Sequence, residues 1–344
     1  MKAMVLTDLQ KIEIIKKPDP EIKNPDGVLV KMKSVGICGS DIHYYKDGRI
    51  GSQVVKYPFT LGHEGAGIVE KIGKDVKNVK PGDRIAIDPS MPCFSCDQCI
   101  AGRFHTCRNI RFLGCPDQAE GCMSEYIVIP SASCFRLGEN ISLVEAALSE
   151  PLSIGLYSTM LSVPLKNARV GILGSGPIGI SVMLSSVHYG AGKVYMTDLL
   201  DERLSLAADM GADWTGNPEK EDIVSEILEK EANQLDTVFE CCGKQEALDQ
   251  AIRLLKPGGK LVIVGVPAFE NWIIGTDEMR KKELCIQNVR RQNKSLKATL
   301  ELISTGGISP DKMLTHSFRI DQISEAFKLV AGYKDGVMKA MINF

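Results

Sequence analysis

Two hydrophobic rhythms divide the 344-residue chain. Up to about residue 150, short apolar runs alternate with polar positions and are cut by Gly, Pro and Asp, as in GVLVKMKSVGI, GAGIVEKIG, GDRIAIDP and MSEYIVIP. Period-two runs bounded by turn residues predict the short strands of an irregular antiparallel domain. The opening MKAMVLTDLQKIEII shows the same alternation and predicts an edge strand. From about residue 168 the apolar runs become continuous, in ARVGILGSG, KVYMTD, LDTVFECCG and GKLVIVGV, and helical stretches such as DERLSLAADMG and EKEDIVSEILEKE separate them. Strands alternating with helices predict a parallel sheet and an α/β fold. The tail from about Leu296 holds a helical segment, SLKATLELIST, then DQISEAFKLVAG and a last strand-like piece, GVMKAMINF.

The length favours two domains, because single hydrophobic cores rarely grow beyond about 250 to 300 residues. With 44% hydrophobic residues, 24% charged and 16 prolines, the chain has the composition of a compact globular protein. Lys and Arg total 41 against 43 Asp and Glu, so no global field recruits nucleic acid or an anionic membrane. The N-terminus lacks the apolar core and cleavage site of a signal peptide, and a cytoplasmic protein is expected. Eleven cysteines in a chain this large read as thiols or metal ligands in a reducing compartment, and four of them cluster.

In RVGILGSGPIGISVM a strand runs into Gly174-Ser175-Gly176-Pro177-Ile178-Gly179 and then into a helix. That order is the one a dinucleotide fold requires: a tight turn at Gly174, close backbone approach to pyrophosphate at Gly176, close packing at Gly179, and free N–H groups at the helix start. A second strand, KVYMTD, ends in Asp198 about 20 residues on. Its carboxylate would accept from the adenosine ribose hydroxyls and repel a 2′-phosphate, so NAD is expected over NADP. Glycines that merely turn a loop, with Asp198 as a helix cap, would not need this whole succession. Arg203 stays open between adenine stacking, phosphate pairing and a solvated surface role.

Cys93, Cys96, Cys99 and Cys107 place four soft ligands in one loop flanked by Pro92 and Gly102. Four thiolates so spaced can close a tetrahedron around zinc and leave no position for substrate, which predicts a structural ion. The rival iron–sulfur motif continues with a three-residue gap and a proline, whereas here seven residues separate Cys99 from Cys107 and Arg108 follows.

Two further glycine-flanked segments, GICGSDIH and GHEG, carry Cys38 and His63. Either alone reads as a small core thiol or a satisfied buried imidazole. Together with PFTLGHEGAGIVEKIG, VKPGDRIAIDP, the four-cysteine loop, SEPLSIGLY and GSGPIG, in that order, the sequence resembles the zinc-containing medium-chain dehydrogenases, and within them the sorbitol (polyol) dehydrogenase group.

The resemblance implies a GroES-like irregular β-barrel catalytic domain, residues 1–152 and 293–344, around a Rossmann doubly wound domain, residues 153–292. It implies a catalytic zinc on Cys38, His63 and Glu64, with Glu150 either binding zinc directly or holding its water. It implies hydride transfer from an alcohol carbon to nicotinamide, with Ser40 and His43 relaying the proton; a turn-forming hydroxyl at Ser40 and a solvent-facing His43 are the plainer alternatives. Val264 and Val266 are expected at the cofactor, Tyr44 at the substrate, and Arg290 at either. Arg291 departs from the group's pattern, where an aromatic is usual, and a second guanidinium suits a phosphorylated or carboxylated substrate. The four-cysteine loop is a second departure, absent from the animal sorbitol enzymes. Two zincs, NAD, a polyol substrate and a homodimer or homotetramer are expected. A threonine 3-dehydrogenase and a sugar-alcohol-phosphate dehydrogenase are alternatives with the same chemistry; a noncatalytic nucleotide binder would have no use for the combined ligand set.

Overall fold

A computed structural model describes residues 1–344, which fall into two compact units. The first comprises Met1–Glu150, Leu296–Gly306 and Leu314–Phe344; the second comprises Pro151–Ser295 and Gly307–Met313. The tail is therefore not one continuous piece of the first unit. Gly307–Met313 packs with the second, where the Gly307 carbonyl meets His188 Nδ1 at 3.1 Å and Lys312 Nζ donates to the Asp209 carbonyl at 3.0 Å.

In the first unit a seven-stranded sheet is ordered Cys134–Arg136, Arg84–Ile87, Glu64–Ile72, Gly27–Gly36, Lys339–Asn343, Leu314–Arg319, with Tyr126–Pro130 also paired to Gly27–Gly36. All its pairs are antiparallel except the last two strands of that order, which run parallel. The strand Leu314–Arg319 alternates half-buried or buried Leu314, His316 and Phe318 with exposed Thr315, Ser317 and Arg319, but a histidine on its inner face hides that alternation in the letters. The expected N-terminal edge strand is a hairpin instead: Lys2–Asp8 pairs with Lys11–Lys16 on one side and with Phe59–Thr60 on the other. Gln10, at φ 57°, makes the reversal that splits the run. Met4, Leu6, Val30, Met32, Leu61, Ile85 and Phe327 belong to the core beneath these strands.

In the second unit six parallel strands are ordered Trp214–Gly216, Lys193–Thr197, Arg169–Leu173, Leu235–Glu240, Leu255–Ile263, Cys285–Asn288. Numbered within the unit this is 3-2-1-4-5-6, the doubly wound order, whose switch point falls between Arg169–Leu173 and Leu235–Glu240. Both strands read as continuous apolar runs because helices cover a parallel sheet. No helix of the chain is long and apolar enough to cross a membrane.

Candidate functional site

The strand Gly27–Gly36 delivers Cys38 to the start of the helix Gly39–Asp47, where it is the N-cap. His63 immediately precedes the strand Glu64–Ile72, whose first residue is cross-strand partner to Gly36. The ligand atoms of Cys38, His63 and Glu64 all lie within 4.8 Å of one another. Asp41, fully buried, ties the two loops: its carboxylate accepts from the N–H of Cys38 at 3.0 Å and of Gly62 at 3.1 Å. The same carboxylate stands 3.8 Å from His63 Nδ1, and the His63 ring packs against Phe112 with centroids 5.5 Å apart. At that distance the carboxylate acts on the imidazole through charge and not through a hydrogen bond.

Glu150 lies in the helix Leu143–Met160, one residue before Pro151. It is 5% exposed and is not among the three clustered donors. Burial pushes its carboxyl up to about 8, His63 opposes this, and the charges of Glu64, Cys38 and Asp88 add to it. Burial, then Glu64, likewise pushes the Cys38 thiol up to about 12. Burial and neighbouring negative charge keep the Cys38 thiol and the nearby Glu150 carboxyl protonated, a penalty that a divalent cation on Cys38, His63 and Glu64 would relieve, so the donor chemistry fits zinc.

Of the other residues expected here, Ser40 bonds the Cys38 side chain. The His43 ring stands 3.2 Å from Asp47 Oδ2 at the surface. Tyr44 is buried and its hydroxyl donates to Gln53 Oε1 at 3.1 Å. Two residues that sequence reasoning missed complete the centre. Asp41 sat inside the quoted GICGSDIH segment as an acid three residues after Cys38, a readable cue. Lys339, 275 residues from Glu64, left none; its ammonium donates to Glu64 Oε1 at 2.7 Å and Oε2 at 2.8 Å.

In the four-cysteine loop, Sγ of Cys93 lies 3.5 Å from Cys107 and 4.0 Å from Cys99, and Cys96 lies 3.9 Å from Cys107. A tetrahedron with zinc–sulfur bonds of about 2.3 Å has edges of about 3.8 Å, so the four sulfurs fit one ion. Hydrogen bonds from Ser95 hold Cys93 down to about 5, while burial pushes Cys99 up to about 12. The loop is closed by Arg108, which grips Asp97 through Nε at 2.6 Å and Nη2 at 2.8 Å.

At the switch point of the second unit, Gly174 takes φ +104° and Gly176 caps the helix Pro177–His188, with Pro177 in its first turn. A Cβ on Gly179 would come within 1.8 Å of the Gly174 carbonyl oxygen, so only glycine lets helix and strand approach this closely. Arg203 lies over the loop, its Nη1 3.3 Å from where a Gly176 Cβ would stand. Asp198 accepts from the N–H of Ser175 at 2.8 Å and of Leu200 at 3.0 Å. A carboxylate offers about four lone-pair sites, so two remain for ribose hydroxyls. Val264 donates its N–H to the Glu240 carbonyl, and Val266 is exposed. Arg290 and Arg291 follow the strand Cys285–Asn288, Arg291 at φ 55°. The open glycine cradle with an acid at the next strand end fits a dinucleotide.

Comparison with known proteins bears on both units. The family described as "Alcohol dehydrogenase GroES-like domain" matches residues 24–139, and "Zinc-binding dehydrogenase" matches residues 177–305. A sorbitol dehydrogenase of Bacillus subtilis (strain 168) is 33% identical over 343 residues, which is 99% of this chain and 97% of that protein. A crystal structure of an Escherichia coli oxidoreductase/dehydrogenase of unknown specificity matches with TM-score 0.94 at 30% identity, covering 99% of this chain and 98% of its own. Galactitol-1-phosphate dehydrogenase from Escherichia coli matches with TM-score 0.91 at 26% identity, covering 100% of both chains.

Proposed function

The chain belongs to the zinc-binding alcohol dehydrogenases with a GroES-like domain, close to the sorbitol dehydrogenases, and from that premise we propose that it oxidises a secondary alcohol of a sorbitol- or xylitol-like polyol to a ketose with NAD as hydride acceptor. The observation that carries the reading is the donor set of Cys38, His63 and Glu64 within 4.8 Å, in a chain that matches a sorbitol dehydrogenase over 99% of its length. We assign two zinc ions per chain: a catalytic one on Cys38, His63 and Glu64 with Glu150 beside them, and a structural one on Cys93, Cys96, Cys99 and Cys107.

The chemistry that bound zinc supplies is Lewis acidity toward the substrate hydroxyl, and that of NAD is hydride acceptance. The protein's own residues do the rest. Asp41 fixes the backbone on either side of the donor set and sets a negative charge 3.8 Å from His63 Nδ1. Ser40 and His43 offer the alcohol proton a path to water, since Ser40 stands at Cys38 and His43 reaches the surface. Glu150, raised toward neutrality by burial, can hold or orient a proton next to the donors. Tyr44, through its hydroxyl, is assigned to substrate; Arg290 is assigned to substrate or cofactor, and Val264, Val266, Asp198 and Arg203 to cofactor. A cytoplasmic homodimer or homotetramer is the accompanying proposal, supported by analogy with the family.

One feature favours a second reading, a sugar-alcohol phosphate as substrate: Arg291 follows Arg290 directly in the chain, and guanidinium groups suit phosphate. The likeness to a galactitol-1-phosphate dehydrogenase supports it. One assay separates the readings: sorbitol, xylitol, galactitol, L-threonine and galactitol 1-phosphate, each with NAD and with NADP. Turnover of the unphosphorylated polyols with NAD is expected. Turnover confined to L-threonine or to the phosphate ester overturns the polyol assignment.

A further inference from the structure

Glu240 ends the strand Leu235–Glu240, beside the switch point of the second unit's sheet, and is fully buried. One carboxylate oxygen, Oε1, accepts from the N–H of Cys242 at 2.8 Å, the N–H of Gly243 at 2.6 Å and the Cys242 thiol at 3.1 Å. The other, Oε2, is buried without a hydrogen-bond partner. All three donors are neutral, and none of them cancels the charge. Burial, then the Glu240 charge, pushes the thiols of Cys241 and Cys242 up, so neighbouring groups feel its field. The backbone makes room for the lone oxygen: a Cβ on Gly265 would come within 2.6 Å of Oε2 and 2.3 Å of the Gly243 nitrogen. A Cβ on Gly174, in the glycine loop, would meet the Cys242 Cβ at 3.0 Å, and the Glu240 carbonyl accepts from the N–H of Gly265 at 2.9 Å. Glu240 therefore stands where the glycine loop, the Cys241–Gly243 turn and the Val264–Gly265 segment meet.

A doubly wound sheet takes a dinucleotide across the carboxyl ends of its strands, one nucleotide to each half. With Asp198, just past Lys193–Thr197, assigned to the adenosine ribose, the half that ends in Glu240 and Ile263 takes the nicotinamide nucleotide. We propose that the unpaired Glu240 carboxylate selects the redox state of the cofactor, favouring the cationic nicotinamide of NAD over the neutral ring of NADH. A charge in a dry interior acts over several ångströms with little screening. Accepting a hydride removes the ring's positive charge and with it the attraction, which suits release of NADH after turnover. Holding the turn does not account for the residue, because Oε1 alone accepts all three bonds and an amide oxygen would accept them without burying a charge.

The inference rests on the NAD reading, and one set of titrations separates the two. Dissociation constants for NAD, NADH and ADP-ribose, which lacks the nicotinamide, are measured by calorimetry on the zinc-loaded native protein, Glu240→Gln and Glu240→Met. Loss of the charge is expected to weaken NAD relative to NADH by about fivefold or more and to leave ADP-ribose bound no more weakly than by the native protein. A turn that merely comes loose would weaken all three ligands together at an unchanged ratio of NAD to NADH, and that result overturns the proposal, as do unchanged affinities for all three. Glu240→Met replaces the charge with an apolar chain of similar length and decides the ratio if Glu240→Gln does not fold. Should the native protein bind neither NAD nor NADH, the cofactor reading itself fails and this inference falls with it.

Discussion

At the scale of single residues, the structure gives several side chains two tasks. Asp198 holds the Ser175 and Leu200 amides and still has acceptor sites free, which is what the proposed ribose contact requires. Replacing it with alanine is expected to cut the preference for NAD over NADP by about tenfold or more, since charge-assisted hydrogen bonds contribute about 1.5–3 kcal/mol; comparing kcat/KM for the two cofactors measures it. An unchanged ratio would remove Asp198 from cofactor choice. Glu150 has a folded value of about 8 against an ordinary 4.5. The folded metal-free chain therefore binds the extra proton between those values, so its stability is kept below the lower one and lost as pH rises through about 8. Melting temperatures of the chelated protein across that range should fall with pH, and Glu150→Gln should flatten the slope. Asp41 was legible as an acid beside Cys38, but its role was not: only the fold brings Gly62 and His63 to it.

At the scale of elements, the period of the hydrophobic pattern located most strands and helices correctly, because burial on one face or on both writes itself into composition. It failed where the letters do not show the burial, as at Leu314–Arg319, whose inward positions include His316. Leu314–Arg319 is a strand because Lys339–Asn343 offers it a parallel partner, a pairing across sequence that local pattern does not encode. The first hairpin was read as one strand because alternation continues through the turn at Gln10. The strand-turn-helix at Gly174–Gly179 is the opposite case, in which the letters dictate the geometry. Gly179→Ala should cost on the order of 1–3 kcal/mol of overpacking and push the helix Pro177–His188 away from the loop. Calorimetry should show weakened NAD binding while zinc content stays unchanged; undiminished affinity would mean that the loop does not hold the pyrophosphate.

At the scale of the whole molecule, the two donor groups differ in kind. The four-cysteine loop offers an ion a closed shell of sulfur, and Ile100 and Phe94 on it are exposed, so little burial holds the loop. Cys107→Ser is expected to remove one zinc of two, leave the second in place and lower the melting temperature; metal analysis with calorimetry checks this, and a loss of both ions would show that the sites are not independent. Cys38→Ser should lose the other ion with a smaller effect on melting. What the sequence determined by itself were the features that sit in contiguous letters: the four-cysteine spacing, the glycine loop with its distant acid, the change from antiparallel to parallel grammar and the resemblance these motifs carry. What only the tertiary structure decided were the relations between distant letters. It gathered Cys38, His63 and Glu64 without Glu150, set Asp41 behind the imidazole, and gave Glu64 a buried lysine 275 residues away as its partner. The physical reason is that motifs are fixed by local backbone geometry, whereas the charge balance of a buried site depends on every side chain the fold packs around it, at separations no spacing rule records.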